Sequence, residues 1–398
     1  MTLIRSRFIP LPRSLQEPMQ ADRVALLSAG HFINDLYPGF VAPLLPLLMN
    51  KIGFGLTAAG VLVSVMTIFN SLTQPLFGHL ADKTRRPVFI ILGPLVTAVF
   101  LGCIGLVNSF TGIMILCILS GLSISAFHPQ AAVYSGRAGG NKAGLGMSIF
   151  VTGGSAGHSL GPVVIIPIVT LWGLKYSPVT IILAVIITTL LYYSMPVFSH
   201  APVESYSADA VKPRRHLKKI IAFLWVIITI RAFIISSFTT FLPVYLHDKN
   251  LSLFLAGSSL TIFEMAGAAG SLLGGGISDL LGRKKVIVLS LWLSLPFFYL
   301  FLHSTGVWAF IFLAVAGLFI FASIPVVIVM AQELFPHRVN MVTSFMMGVS
   351  WGVGGLMVTP VGYLAERIGL GSALMYLLGF GVLAAIATMF LPETRKQI

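Results

Sequence analysis

Three ionisable side chains stand alone inside long apolar runs, where each is placed to move a charge through a membrane. Of the twelve acidic residues only Asp35 and Glu264 fall near the middle of such a run, and among the bases only Arg231 does. A charge in hydrocarbon is costly unless it faces protein or a wet cavity, so residues of this kind mark ion or solute pathways. His31, Asn34 and Asp35 lie at i, i+3 and i+4, which gathers an imidazole, an amide and a carboxylate on one helix face. The carboxylate suits proton uptake and release, the arginine suits an anion, and His31, Asn34 and His128 are candidates to touch the solute. Glu264, beside Gly267 and Gly270, is a second proton candidate, and equally able to hydrogen-bond a neighbouring helix in its neutral form. For His158 the favoured reading is hydrogen-bonded packing.

The elements that position these groups follow from composition. The chain is 57% hydrophobic and only 9% charged, against about 25% charged in ordinary soluble domains, so lipid is its solvent. Its 29 phenylalanines and 39 glycines fit lipid-facing bulk and close helix contact. Apolar runs long enough to cross a core about 30 Å thick number twelve, at 22–49, 57–80, 87–107, 111–135, 144–171, 178–199, 218–246, 253–280, 284–303, 307–334, 339–366 and 371–391. The expected fold is an all-α membrane protein of twelve transmembrane helices in two pseudo-symmetric six-helix bundles. Residues 1–21 form a tail, 22–199 the first bundle, 200–217 a polar linker with the basic run Lys212-Pro-Arg214-Arg215, and 218–398 the second bundle with a short tail.

Basic residues orient the chain. With both termini on one side, that side collects 20 of the 25 lysines and arginines, so it is expected to be cytoplasmic. Anionic lipid then accounts for the net charge of +13 without a nucleic acid partner. The first 21 residues lack a signal-peptide core. Cys103 and Cys117 both sit inside apolar runs, which argues against a disulfide framework. No phosphate-cradling glycine loop is present, so no cofactor is expected and uphill transport would draw on an ion gradient. Neither a nucleophile with its base nor a HExxH helix stands out, so an enzyme is not expected. A monomer is expected.

Two stretches 197 residues apart repeat one pattern. Gly78-His-Leu-Ala-Asp82-Lys-Thr-Arg85-Arg86 and Gly275-Gly-Ile-Ser-Asp279-Leu-Leu-Gly282-Arg283-Lys284-Lys285 each close an apolar run with glycine, aspartate and a basic cluster. Pro46 and Pro243 share the same offset, and Asp35 and Arg231 miss it by one. A bundle built twice in one order typically carries solutes. Gly153, Gly157 and Gly161 recur every four residues ahead of Pro162, and Gly348, Gly352, Gly355 and Pro360 answer in the second half. Such a strip lets another helix approach closely, and the proline loosens the helix beyond it.

These features resemble the major facilitator superfamily. The copy from Gly275 to Lys284 matches the superfamily's Gly-x-x-x-Asp-x-x-Gly-Arg-Lys loop fully, whereas the first copy keeps Gly78, Asp82 and Arg86 but has Arg85 in place of the later glycine. The resemblance implies that Gly78, Asp82, Arg86, Gly275, Asp279, Gly282, Arg283 and Lys284 latch a cytoplasmic gate. It also implies that the glycine-proline helix, with Gly153, Gly157, Gly161, Pro162, Gly352 and Pro360, acts as hinge or seal. His31-Phe-Ile-Asn34-Asp35, Phe127-His128-Pro129 and Gly153-Gly154-Ser155-Ala156-Gly157-His158-Ser159-Leu160-Gly161-Pro162 are similar to the fosmidomycin resistance protein group. That likeness implies proton-coupled efflux of a small organic anion or amphiphilic drug across a bacterial inner membrane by alternating access. Import by proton symport, a divalent metal carrier with His31, Asp35 and His128 as ligands, and a solute sensor without transport are the alternatives. In the efflux reading Asp35 and Arg231 look at each other across the pathway, and an anion bound at Arg231 lets Asp35 take up a proton.

Overall fold

The computed structural model describes residues 18–83, 87–140, 143–195, 215–334 and 345–392. Among them no strand occurs; the chain is a set of helices joined by short turns. These are α1 (Ala21–Ile52), α2 (Leu56–Ala81), α3 (Val88–Leu106), α4 (Phe110–Ala138), α5 (Ala143–Trp172) and α6 (Leu174–Ser194). They continue with α7 (Arg215–Asp248), α8 (Leu253–Leu281), α9 (Arg283–His303), α10 (Gly306–Ala331), α11 (Ser350–Leu356 and Val358–Ile368) and α12 (Leu370–Met389). All but α11 include a stretch long and apolar enough to cross a membrane. The eleventh expected span appears as a π-helical turn, Phe345–Val349, and two short helices broken at Met357. The first part of that span, from 339, and residues 200–214 of the expected linker lie outside the described residues, and α7 already begins at Arg215, within the last three linker positions.

The turns sort into two ends. At one, Gly53, Gly173 and Gly369 close tight turns with positive φ, conformations that glycine adopts without steric cost. At the other lie the repeated basic loops. Residues between these ends present Leu272 and Ile277 outward, apolar area that a water-filled exterior would penalise and lipid accepts.

Proline and glycine shape the helices that matter for the site. α1 breaks at Tyr37, because Pro38 supplies no N–H to the preceding turn. The glycine strip of α5 lies flat against α1. A Cβ on Gly153 would sit 2.6 Å from the Ser28 carbonyl oxygen, one on Gly157 2.1 Å from that of Phe32, and one on Gly161 2.8 Å from that of Leu36. Pro162 leaves the His158 carbonyl without its helical donor, and Gly39 of α1 packs onto that oxygen so tightly that no side chain fits there. Close packing, the plainer of the two roles expected for this strip, is therefore present.

The two halves of the chain meet mainly through two helix pairs, with the second part of α1 also packing against α7 and α8. α2 lies on α11, where Ser64 donates to the Gly355 carbonyl at 2.7 Å and Glu366 accepts from the Thr57 N–H at 2.9 Å. α5 lies on α8, where Thr261 donates to the Ser159 carbonyl at 2.6 Å. These ties run from the tight-turn end to about the middle of the helices.

Candidate functional site

Asp35 does not face Arg231 through any ion pair among the described residues. Its carboxylate is gathered instead with two histidines of its own half: His31 Nε2 lies 3.1 Å from Oδ2, and His128 Nε2 lies 3.2 Å from Oδ1. Asn34 donates to Asp35 Oδ1 at 2.9 Å, and its own carbonyl oxygen lies 3.2 Å from the Thr97 hydroxyl. The i, i+3, i+4 face of α1 supplies three of these groups, and the Phe127-His128-Pro129 segment of α4 brings the fourth.

His31 is fixed on all sides. Its Nδ1–H donates to the Phe150 carbonyl at 2.8 Å, and its ring stacks on Phe150 with centroids 4.1 Å apart. A Cβ on Gly154 would fall 2.4 Å from the imidazole, so only glycine leaves room for it. This geometry sets a proton count. With Nδ1 committed to a carbonyl, Nε2 of a neutral His31 is a lone pair facing the Asp35 carboxylate and His128 Nε2, the latter at 3.1 Å. The contact with Asp35 becomes a hydrogen bond only when an additional proton lies between the two groups. The same three donor atoms lie within 4.8 Å of one another, the spread of a three-ligand cation site.

Glu264 does not stand free. His158 Nδ1 lies 2.8 Å from Glu264 Oε2, a link from α5 to α8 and so from one half to the other. Sequence reasoning assigned His158 to packing; its function as partner of Glu264 was hidden because the two meet only through tertiary structure. No local spacing pairs them: at the repeat offset Glu264 corresponds to Thr67 and His158 to Gly355, whose contact across α2 and α11 is likewise tertiary. Beside the pair lies a small cavity of about 60 Å³, room for a few waters. His158, Glu264, Thr239 and Thr240 give it polar groups, and Val41 and Met66 are among its apolar walls.

Arg231 is buried, 3% exposed, on α7. One guanidinium nitrogen donates to the Ser323 hydroxyl at 2.8 Å, where α10 is interrupted, and Nε has no hydrogen-bond partner among the described residues. A buried guanidinium without a carboxylate is held at a cost and has unused donors. Of the expected gate residues, Gly282 ends α8 with φ +94° and Arg283 donates to the Ser278 hydroxyl. Lys284 lies in the first turn of α9. A Cβ on Gly78 or Gly275 would make only ordinary contact, with Pro129 or Pro325. Arg86 and the side chains of Asp82 and Asp279 lie outside the described residues. Gly352 rests on Leu72 of α2, and Pro360 falls in the first turn of the helix that restarts after Met357.

Comparison with known proteins agrees with this architecture. The chain is 28% identical over 378 residues to the fosmidomycin resistance protein of Escherichia coli (strain K12), covering 93% of each. It is 25% identical over 287 residues to the multidrug resistance protein MdtG of Proteus mirabilis (strain HI4320), covering 67% of this chain and 69% of that one. Among solved structures it superposes on a bacterial homolog of the human lysosomal transporter Spinster, in an inward-facing and unoccupied conformation, with TM-score 0.78 at 14% identity over 94% of this chain and 97% of that one. It also superposes on the nucleoside transporter NupG, with TM-score 0.72 at 14% identity over 94% of this chain and 98% of that one. The model of the Major Facilitator Superfamily matches residues 27–359 and 248–398. A multi-pass membrane protein with this fold and these matches is a transporter, and the chain belongs to the Major Facilitator Superfamily.

Proposed function

We propose that this protein is a proton-coupled antiporter that exports a small organic anion or amphiphilic compound by alternating access. The observation that carries the reading is the Asp35 cluster, in which His31, Asp35 and His128 converge and one proton decides whether the closest contact attracts or repels. Asp35 and Glu264 are the proton sites, and Arg231 is the anion-binding group. Arg231 and Asp35 then act on the solute and the proton from separate halves, not as a fixed pair. Two six-helix bundles rock about this midplane region. Among the described residues the ties between halves gather toward the tight-turn end, which supports a resting state open toward the basic loops, and the repeated latch closes that side in the opposite state. Both termini lie in the cytoplasm of a bacterial cell, and the protein works as a monomer.

Transport in proteoliposomes tests this. A panel of organic anions and amphiphilic drugs should show uphill movement driven by an imposed pH gradient and abolished by an uncoupler. Counterflow without any response to the pH gradient would remove proton coupling. Absence of counterflow for every member of the panel would favour a sensor. Accumulation with the gradient rather than against it would favour proton symport.

The spacing of His31, Asp35 and His128 also favours a second reading, a divalent metal carrier, since two imidazoles and a carboxylate suit a transition metal ion. Calorimetric titration of the purified protein with zinc separates the two. Antiport of organic solutes predicts no saturable heat that the His128→Ala substitution removes, and metal transport predicts one.

A further inference from the structure

The two seams between the halves are copies of one another, and they differ where chemistry enters. On α2, Gly60 packs against the backbone of Val358 and Thr359, and one turn later Ser64 donates to the carbonyl of Gly355. On α8, 197 positions on, Gly257 packs against Ile166 and Pro43, and one turn later Thr261 donates to the carbonyl of Ser159. The same glycine and the same hydroxyl thus clasp α11 in one seam and α5 in the other. The next position inward breaks the symmetry. In the first seam Thr67 packs against Gly355. In the second, the equivalents of Thr67 and Gly355 are Glu264 and His158, joined at 2.8 Å and lining the cavity.

We propose that His158 is the positioning residue that ties proton occupancy to closure of the tight-turn end, through its bond to Glu264. This rests on the antiport reading above and assigns the seam through which the proton acts. With a proton on each imidazole nitrogen, His158 and Glu264 form an ion pair that draws α5 to α8. When that additional proton leaves, the tie falls to a neutral donor on a carboxylate, a weaker bond. The α2–α11 seam holds no titratable pair at the equivalent place, so it closes by shape and hydroxyl bonds alone. The charged and imidazole groups near mid-span on the helices packed against α5 and α8 are His31 and Asp35 on α1, His128 on α4 and Arg231 on α7. A solute that widens the cavity meets both members of the pair, which line it, and competes for their hydrogen bonds, so loading and loss of the proton both favour opening.

Spin labels across the tight-turn end of α5 and α8, on purified protein in nanodiscs without solute, read the separation directly. From about pH 5 to about pH 8, the range in which imidazoles change charge, the ratio of open to closed end should rise, at most about tenfold per pH unit for one linked proton. His158→Gln keeps a neutral donor and should flatten the profile, and Glu264→Gln should flatten it likewise. Thr67→Val, at the symmetric position, should leave it as in the parent. Thermal melting of each variant checks folding. A parental profile in His158→Gln would overturn the proposal, as would a profile already flat in the parent protein. Since no solute is used, failure here is separable from failure of the transport reading, which is scored by flux.

Discussion

Asp35→Asn is expected to abolish gradient-driven transport while solute counterflow persists. Asparagine matches the shape of aspartate and still accepts from Asn34 and His128, so the α1–α4 contact survives. It cannot accept the shared proton opposite His31 Nε2, and the contact at 3.1 Å loses its dependence on protonation. Coupling energies between linked sites run about 1–3 kcal/mol, or roughly 5–150-fold, and losing the main proton site removes the upper part of that range. Uphill flux in proteoliposomes should therefore fall by about a hundredfold, with exchange at equal concentrations changed by less than about threefold. His128→Gln should give an intermediate loss, because His128 reaches Asp35 from another helix and is replaced by a group that donates without titrating. Uphill flux at parental rates in Asp35→Asn would refute the proton assignment and leave the carrier fold untouched.

The sequence states some of these features residue by residue and hides others. The helical elements were legible, because apolar runs and basic loops state lipid contact directly; the expected start of the fifth span at 144 and the observed helix Ala143–Trp172 differ by one residue. The polar face of α1 was legible too, since i, i+3 and i+4 neighbours depend only on helix geometry. His128 joined that face through a contact between α1 and α4 that no local spacing encodes. The eleventh span departs from a continuous helix because glycines at 352, 354 and 355 and Pro360 crowd the break at Met357. Helix rotation was the hidden variable for Glu264 and His158.

The pairing of Asp35 with Arg231 shows the same limit from the other side. Near-equivalent positions in two repeats suggested opposition across the pathway, yet at the true offset Arg231 corresponds to Asn34 and Asp35 to Ala232. The Ala232 position is occupied at close range by Gly354 of α11. One register step on a helix turns a side chain by about 100°, enough to send the guanidinium to Ser323 rather than toward the first half. Repeat arithmetic predicts which helices correspond better than it predicts which side chains meet.

Arg231→Met is expected to stabilise the protein and impair it. The guanidinium is 3% exposed, holds one hydroxyl, and leaves Nε without a partner among the described residues. Replacing buried ionic groups by apolar side chains of similar size is often neutral or stabilising by about 1–4 kcal/mol. The unfolding temperature in detergent should therefore stay level or rise by several degrees, about 2–4 °C per kcal/mol for chains larger than a small domain. If Arg231 binds the solute anion, the same substitution removes a charge-assisted bond worth about 1.5–3 kcal/mol. The dissociation constant of an anionic solute should then rise roughly 10- to 150-fold. Arg231→Lys retains the charge but loses the planar fork and should recover only part of that affinity. A structural role for Arg231 requires the reverse pattern: lower melting temperature with unchanged solute affinity. Melting and binding measured on one preparation of Arg231→Met therefore distinguish a residue kept for packing from one kept, at a cost to stability, for the solute.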